Sequence, residues 1–260
     1  MRTVIFWMLV IGVLGVTADT TSPAQSASEL LVAAAANLSD VFTMIAQEFE
    51  QAMGIHVILS FGATGNLARQ IENGAPFDLF AAADVSTIDL LVEEGLILPE
   101  SRRIYARGRL ILWWPSDSQV QLETLQDLLK PEIERIALAN PEIAPYGRAA
   151  MESLIALGLW EAVQSKLVFA DNVTAAKQFA ATGNAEVAFI PISLVQPGKD
   201  RFVAVSGRLH ALLDQALGII QGAKNREAAE RFSGFLASPE GQSLLEDFWY
   251  TIPCSAHPPS

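Results

Sequence analysis

The chain has 260 residues, 51% of them hydrophobic and 18% charged, and a formal net charge of -12 at pH 7. That length supports one large domain or two small ones, each with a real core. So negative a molecule repels nucleic acid and anionic membrane surfaces, and any anionic ligand must be held by local dipoles against the overall field. With Cys254 the single cysteine, no internal disulfide can form, and stability rests on the core.

Arg2, an apolar stretch over 3–16 and the Val16-Thr17-Ala18 ending have the three parts of a secretory signal peptide, 1–18. The stretch is shorter than the roughly 17–25 residues that span a bilayer. Residues 19–28, rich in Thr, Ser, Ala and Pro, read as a flexible leader, and the mature protein is expected outside the cytoplasmic membrane. No cysteine follows the apolar run, so no lipid anchor is indicated.

From residue 30 onward strand-like and helix-like segments alternate, which points to α/β layers. The apolar run 30–35 is a strand, and Leu38, Phe42, Ile45 and Phe49 recur at helical spacing until Gly54. Strand 55–61 leads to a helix through Leu67 and Ile71. Strand 78–83 is too apolar for a surface position. A helix over 86–94 is read with Ser86 as its cap and Gly95 as its stop. Further strands are read at 109–114, 135–139, 166–169, 185–190, 201–205 and 216–220. Further helices are read at 122–129, 147–157, 173–181, 223–236 and 239–248. The tail 254–260 is expected to be loose.

Two strand-to-helix turns carry small, neutral, polar residues: Ala36-Asn37-Leu38-Ser39 and Gly62-Ala63-Thr64-Gly65-Asn66. A helix N-terminus presents unpaired N–H groups and a partial positive charge, so two such ends facing one cleft hold a small oxyanion without Lys or Arg. Thr64 can cap its helix or donate its hydroxyl, and Asn37 can donate through its amide. Two further loops fit the pattern. Tyr146 follows two prolines before a helix. Asp171 or Asn172 can cap the helix at Val173 and leave the Val173 N–H available. Each turn taken alone reads equally well as an ordinary capped helix.

Enzymatic readings find less support. Gly62-x-x-Gly65-x-x-Ala68, with Asp84 about 20 residues on, imitates a dinucleotide fingerprint but lacks its G-x-G-x-x-G spacing. His56, His210 and His257 share no metal-ligand spacing, and no G-x-S-x-G elbow is present. Asp78 and Asp84 flank one strand and lie too far apart for paired-carboxylate chemistry. Trp113-Trp114 reads as core. Arg148 is a further candidate anion ligand, ranked below the four turns because one turn into a helix it can as easily face solvent.

The stretches VAAAANL, SFGATGNLARQIENGAPFDLFAAAD, NPEIAPYGRAAMESL, DNVTAAKQFAATGNAEVAFI and FWYTIP together resemble the periplasmic molybdate-binding proteins of ABC transporters. The resemblance runs from about residue 30 to 253. It implies the type II periplasmic binding protein fold, two α/β lobes joined by a two-strand hinge, with lobe one at 29–109 and 195–253 and lobe two at 110–194. It implies a monomer that performs no chemistry, needs no cofactor, captures molybdate or tungstate and serves an ABC permease; another tetrahedral oxyanion such as sulfate is the alternative ligand. Carried over by position, the ligand residues are Ala36, Asn37, Thr64, Tyr146 and Val173. Some relatives place a tyrosine hydroxyl where this chain has Pro191, which has no donor.

Overall fold

The structure, a computed structural model, describes residues 29–196 and 198–253. The expected signal peptide and leader, Cys254, His257 and the tail lie outside the described residues.

Among the described residues, ten strands form two five-stranded sheets. The first is built from β1 (Glu29–Ala35), β2 (His56–Gly62), β3 (Leu79–Ala82), β4 (Arg103–Arg107) and β10 (Asp214–Ile219), in the order β2-β1-β3-β10-β4. The second comprises β5 (Leu110–Trp114), β6 (Ile136–Ala139), β7 (Leu167–Ala170), β8 (Val187–Pro191) and β9 (Arg201–Ala204), in the order β7-β6-β8-β5-β9. In each sheet three parallel strands are joined through helices and an antiparallel strand lies beside them, the late β10 next to β3 in the first and the early β5 next to β8 in the second. The helices are α1 (Ser39–Met53), α2 (Thr64–Glu72), α3 (Val85–Glu93), α4 (Pro145–Ala156), α5 (Trp160–Val163), α6 (Val173–Ala181), α7 (Arg226–Leu236) and α8 (Pro239–Asp247).

These elements follow from local chemistry. Helix α1 buries Phe42, Ile45 and Phe49 along one stripe. Phe49 meets Phe232 and Phe235 of α7 edge-to-face, with ring centroids 5.2 and 5.7 Å apart. The strands at each sheet's centre, β3 and β8, are buried throughout, as their unbroken apolar runs require. Asp78 is buried, and its carboxylate accepts the N–H groups of Leu31 and Asn225. Trp113 and Trp114 are core residues, with the Lys177 ammonium 5.4 Å from the Trp113 ring centroid.

Several local readings are corrected. Asp84 rather than Ser86 caps α3, accepting the Thr87 N–H at 3.0 Å. The segment 122–129 is a 3-10 turn over Leu125–Leu129, closed by a capping box of Thr124 and Asp127. Helix α4 starts at Pro145, a residue suited to the first helical position, so Tyr146 lies within the helix rather than ahead of it. Strand β4 and helix α5 lack the apolar run or the length that would mark them in the sequence.

The chain crosses between sheets twice, at 108–109 and at 205–213. Strand β9, which the resemblance assigned to lobe one, pairs with β5 in the second sheet, from Ile111 opposite Ala204 to Trp114 opposite Arg201. Hydrogen bonding to an available edge decided that placement, which periodicity does not encode. Beside the crossings, Arg107 and Asp214 pair at 2.5 Å.

Candidate functional site

Four strand-to-helix turns converge between the sheets, two from each lobe. Ala35, Ala36 and Asn37 leave β1 in a 3-10 turn before α1; Gly62, Ala63 and Thr64 join β2 to α2; Ala144, Pro145 and Tyr146 open α4; Asn172 and Val173 open α6. With Ala83 they line one small pocket, and no charged residue is among them. All five residues singled out in the sequence are brought together here. Each is buried, with exposures of 4% for Ala36 and Val173 and 2% for Asn37, Thr64 and Tyr146.

The N–H groups of Thr64, Tyr146 and Val173 have no protein acceptor among the described residues. Each lies in the first turn of a helix, where the ladder supplies none. The Asn172 side chain instead satisfies Ala175, accepting its N–H at 3.0 Å, so the Val173 donor stays available. Gly147 lets α4 approach closely: a Cβ there would lie 2.0 Å from the Ala139 carbonyl oxygen.

The side chains divide differently from their sequence reading. Thr64 is the first residue of α2 rather than its cap, which is Ala63. Its Oγ1 accepts the Ala83 N–H at 3.1 Å, which leaves the hydroxyl hydrogen to donate. The Asn37 amide is already engaged: Nδ2 donates to Gln215 Oε1 and to the Tyr250 hydroxyl, each at 2.8 Å. What Asn37 can offer a ligand is therefore its main-chain N–H. Gln215 and Tyr250, both buried, were missed in the sequence, and Tyr250 lies 213 residues from its partner, beyond any local pattern.

The Tyr146 hydroxyl is buried without a protein partner. It lies against Gly108 at the first crossing, where a Cβ would come within 1.8 Å of it. Burial first, and then the neighbouring Tyr250 and Tyr105, push its ionisation well above the usual phenol range, so it remains a neutral O–H donor. Pro191 ends β8 opposite Leu110 and does not line the cavity.

The dinucleotide reading fails on geometry. The Gly65 N–H donates to the Ile143 carbonyl of the other lobe at 2.9 Å, so the second lobe's backbone occupies the space a pyrophosphate would need. Asp84 is spent on its helix cap. His56 sits on the surface beside Glu50, at 3.0 Å.

Residues 30–251 match the family model of bacterial extracellular solute-binding proteins. The chain is 38% identical over 235 residues to the molybdate-binding protein of Azotobacter vinelandii, covering 88% of this chain and 92% of that one. It is 34% identical over 227 residues to the molybdate-binding protein of Rhodobacter capsulatus, covering 86% and 89%. The solved periplasmic molybdate-binding protein of Azotobacter vinelandii superposes with a TM-score of 0.82 at 28% identity, over 86% of this chain and 99% of that one. The sulfate-binding protein SubI of Mycobacterium tuberculosis shares the fold, with a TM-score of 0.73 at 16% identity over 88% of each chain.

Proposed function

The chain belongs to the bacterial extracellular solute-binding proteins, among the molybdate-binding proteins, and from that premise we propose that it captures molybdate in the cavity between its lobes and delivers it to an ABC permease. The observation that carries the reading is the convergence of four uncharged turns, two from each lobe, on one buried cavity. Ala36 and Asn37 through the main chain, Thr64 through its hydroxyl and N–H, Tyr146 and Val173 are its donors.

The energetics support a neutral site. A hydrogen bond to a charged group contributes roughly 1.5–3 kcal/mol. About half a dozen leave room for micromolar binding, about 8 kcal/mol, after desolvation and closure. A tetrahedral dianion has no proton to place, so donors suffice. A protonated anion such as hydrogen phosphate would bring a donor of its own and need an acceptor. Tungstate, nearly the same size as molybdate, binds alike, while sulfate, smaller, spans the two lobes less well. The protein acts as an exported monomer that performs no chemistry and needs no cofactor or nucleic acid, and the closed form is the one its permease reads.

Calorimetric titration with molybdate, tungstate and sulfate tests this directly. Tight, comparable binding of the first two and much weaker binding of sulfate is expected. A chain that prefers sulfate, or binds none of the three, overturns the reading.

A further inference from the structure

The segment that offers Ala36 and Asn37 to the cavity is also held from behind by the opposite lobe. Ser193 Oγ, in the 3-10 turn after β8, donates to the Asn37 carbonyl at 2.9 Å. Thr174 Oγ1, in the first turn of α6, donates to the Ala36 carbonyl at 3.3 Å. Both hydroxyls come from the second lobe and both carbonyls from the first. The Tyr250 hydroxyl completes the cluster, 2.9 Å from the same Asn37 carbonyl and 3.2 Å from Ser193 Oγ. Asn37, Ser193 and Tyr250 are all buried, at 2%, 5% and 3% exposure.

Two consequences follow from peptide geometry. The Ala36 carbonyl and the Asn37 N–H belong to one rigid plane. A hydrogen bond accepted at that oxygen polarises the plane and strengthens its N–H as a donor. The contact from Ser193 anchors the next plane, so the turn cannot rotate its donors away from the cavity while the lobes are together. Parting the lobes breaks both bonds, because each has one end on either side of the cleft.

We infer that Ser193 and Thr174 are positioning residues: they latch the closed lobes and align the Ala36–Asn37 donors, without touching the anion themselves. The inference deepens the oxyanion reading above and rests on it. A latch that forms on closure slows ligand escape and leaves encounter unchanged, since the anion meets the open cleft first.

Stopped-flow measurement of molybdate association and dissociation on the full chain tests it. Ser193→Ala is expected to speed dissociation about tenfold, in line with one buried hydrogen bond. The longer, more exposed contact of Thr174 predicts a smaller effect, about threefold for Thr174→Val, restored by Thr174→Ser. Association rates should stay within about twofold, and the ligand-free melting temperature, which a merely structural role would lower, should be unchanged. Unchanged dissociation in both variants overturns the latch while leaving the oxyanion reading standing, as does a loss confined to ligand-free stability. A wild-type chain that binds no oxyanion overturns the reading itself.

Discussion

Two spaces lie side by side between the same two lobes, and Pro145 lines both. The first is the buried cavity of small, neutral residues. The second is a wider cleft of about 290 Å3, lined by Asp84, Arg148, Glu152 and Asp214 among others. Tyr146 and Arg148 are two positions apart on α4, yet the tyrosine is buried in the first space while the arginine is exposed beside the second. Charge sits where water can solvate it; the buried space is lined by groups that carry no charge. A buried guanidinium would lose several kcal/mol in desolvation, whereas helix-end N–H groups are already unpaired and fixed in direction.

The sharpest way to break this contrast is to put charge into the neutral space. Asn37→Asp sets a carboxylate against Gln215 Oε1, an acceptor, and beside a dianion. Molybdate affinity is expected to fall more than about a hundredfold, and stability by about 3–5 kcal/mol. Calorimetry and urea unfolding read the two losses separately. Next is Thr64→Ala, which removes a hydroxyl whose hydrogen is free to donate. A loss of about 1.5–3 kcal/mol in binding is expected; unchanged affinity would remove Thr64 from the ligand set.

Tyr146→Phe deletes a buried donor while keeping the ring, and about a tenfold loss is expected. The same tyrosine predicts a pH profile. Its ionisation is raised above the usual phenol value, so the donating form persists through the whole range below it. Affinity should therefore stay flat as pH rises from neutrality toward 10, and a loss beginning below that value would place an ordinary phenol at the site. The smallest effect is expected on the charged side of the comparison. Arg148→Gln should leave affinity within about threefold, since exposed charges contribute little at physiological salt. A larger loss, measured by titration at two salt concentrations, would mean that the two spaces act as one.

Much of the fold was legible because burial and helix capping leave local marks. The unbroken apolar run of β3 and the heptad-like stripe of α1 were readable, as was α6, which begins at Val173 as its asparagine cap suggests. Elements lacking such marks were not. Strand β4 carries arginine at both ends and is buried only at Tyr105 and Ala106. Strand β9 alternates exposed and half-buried residues, and only its pairing with β5 reveals which sheet it joins.

The sequence by itself determined the kind of site: four turns of small neutral residues, each at the start of a helix, in a chain too negative to hold an anion by bulk charge. Those are local properties, set by residue type and by the unpaired N–H groups of any helix end. Tertiary structure alone decided how the donors are shared out. It committed the Asn37 amide to Gln215 and Tyr250, freed the Thr64 hydroxyl by giving it the Ala83 N–H to accept, and brought Ser193 behind Asn37. A hydrogen bond depends on atoms meeting within about 3 Å, and partners 156 or 178 residues apart meet only after the chain has folded.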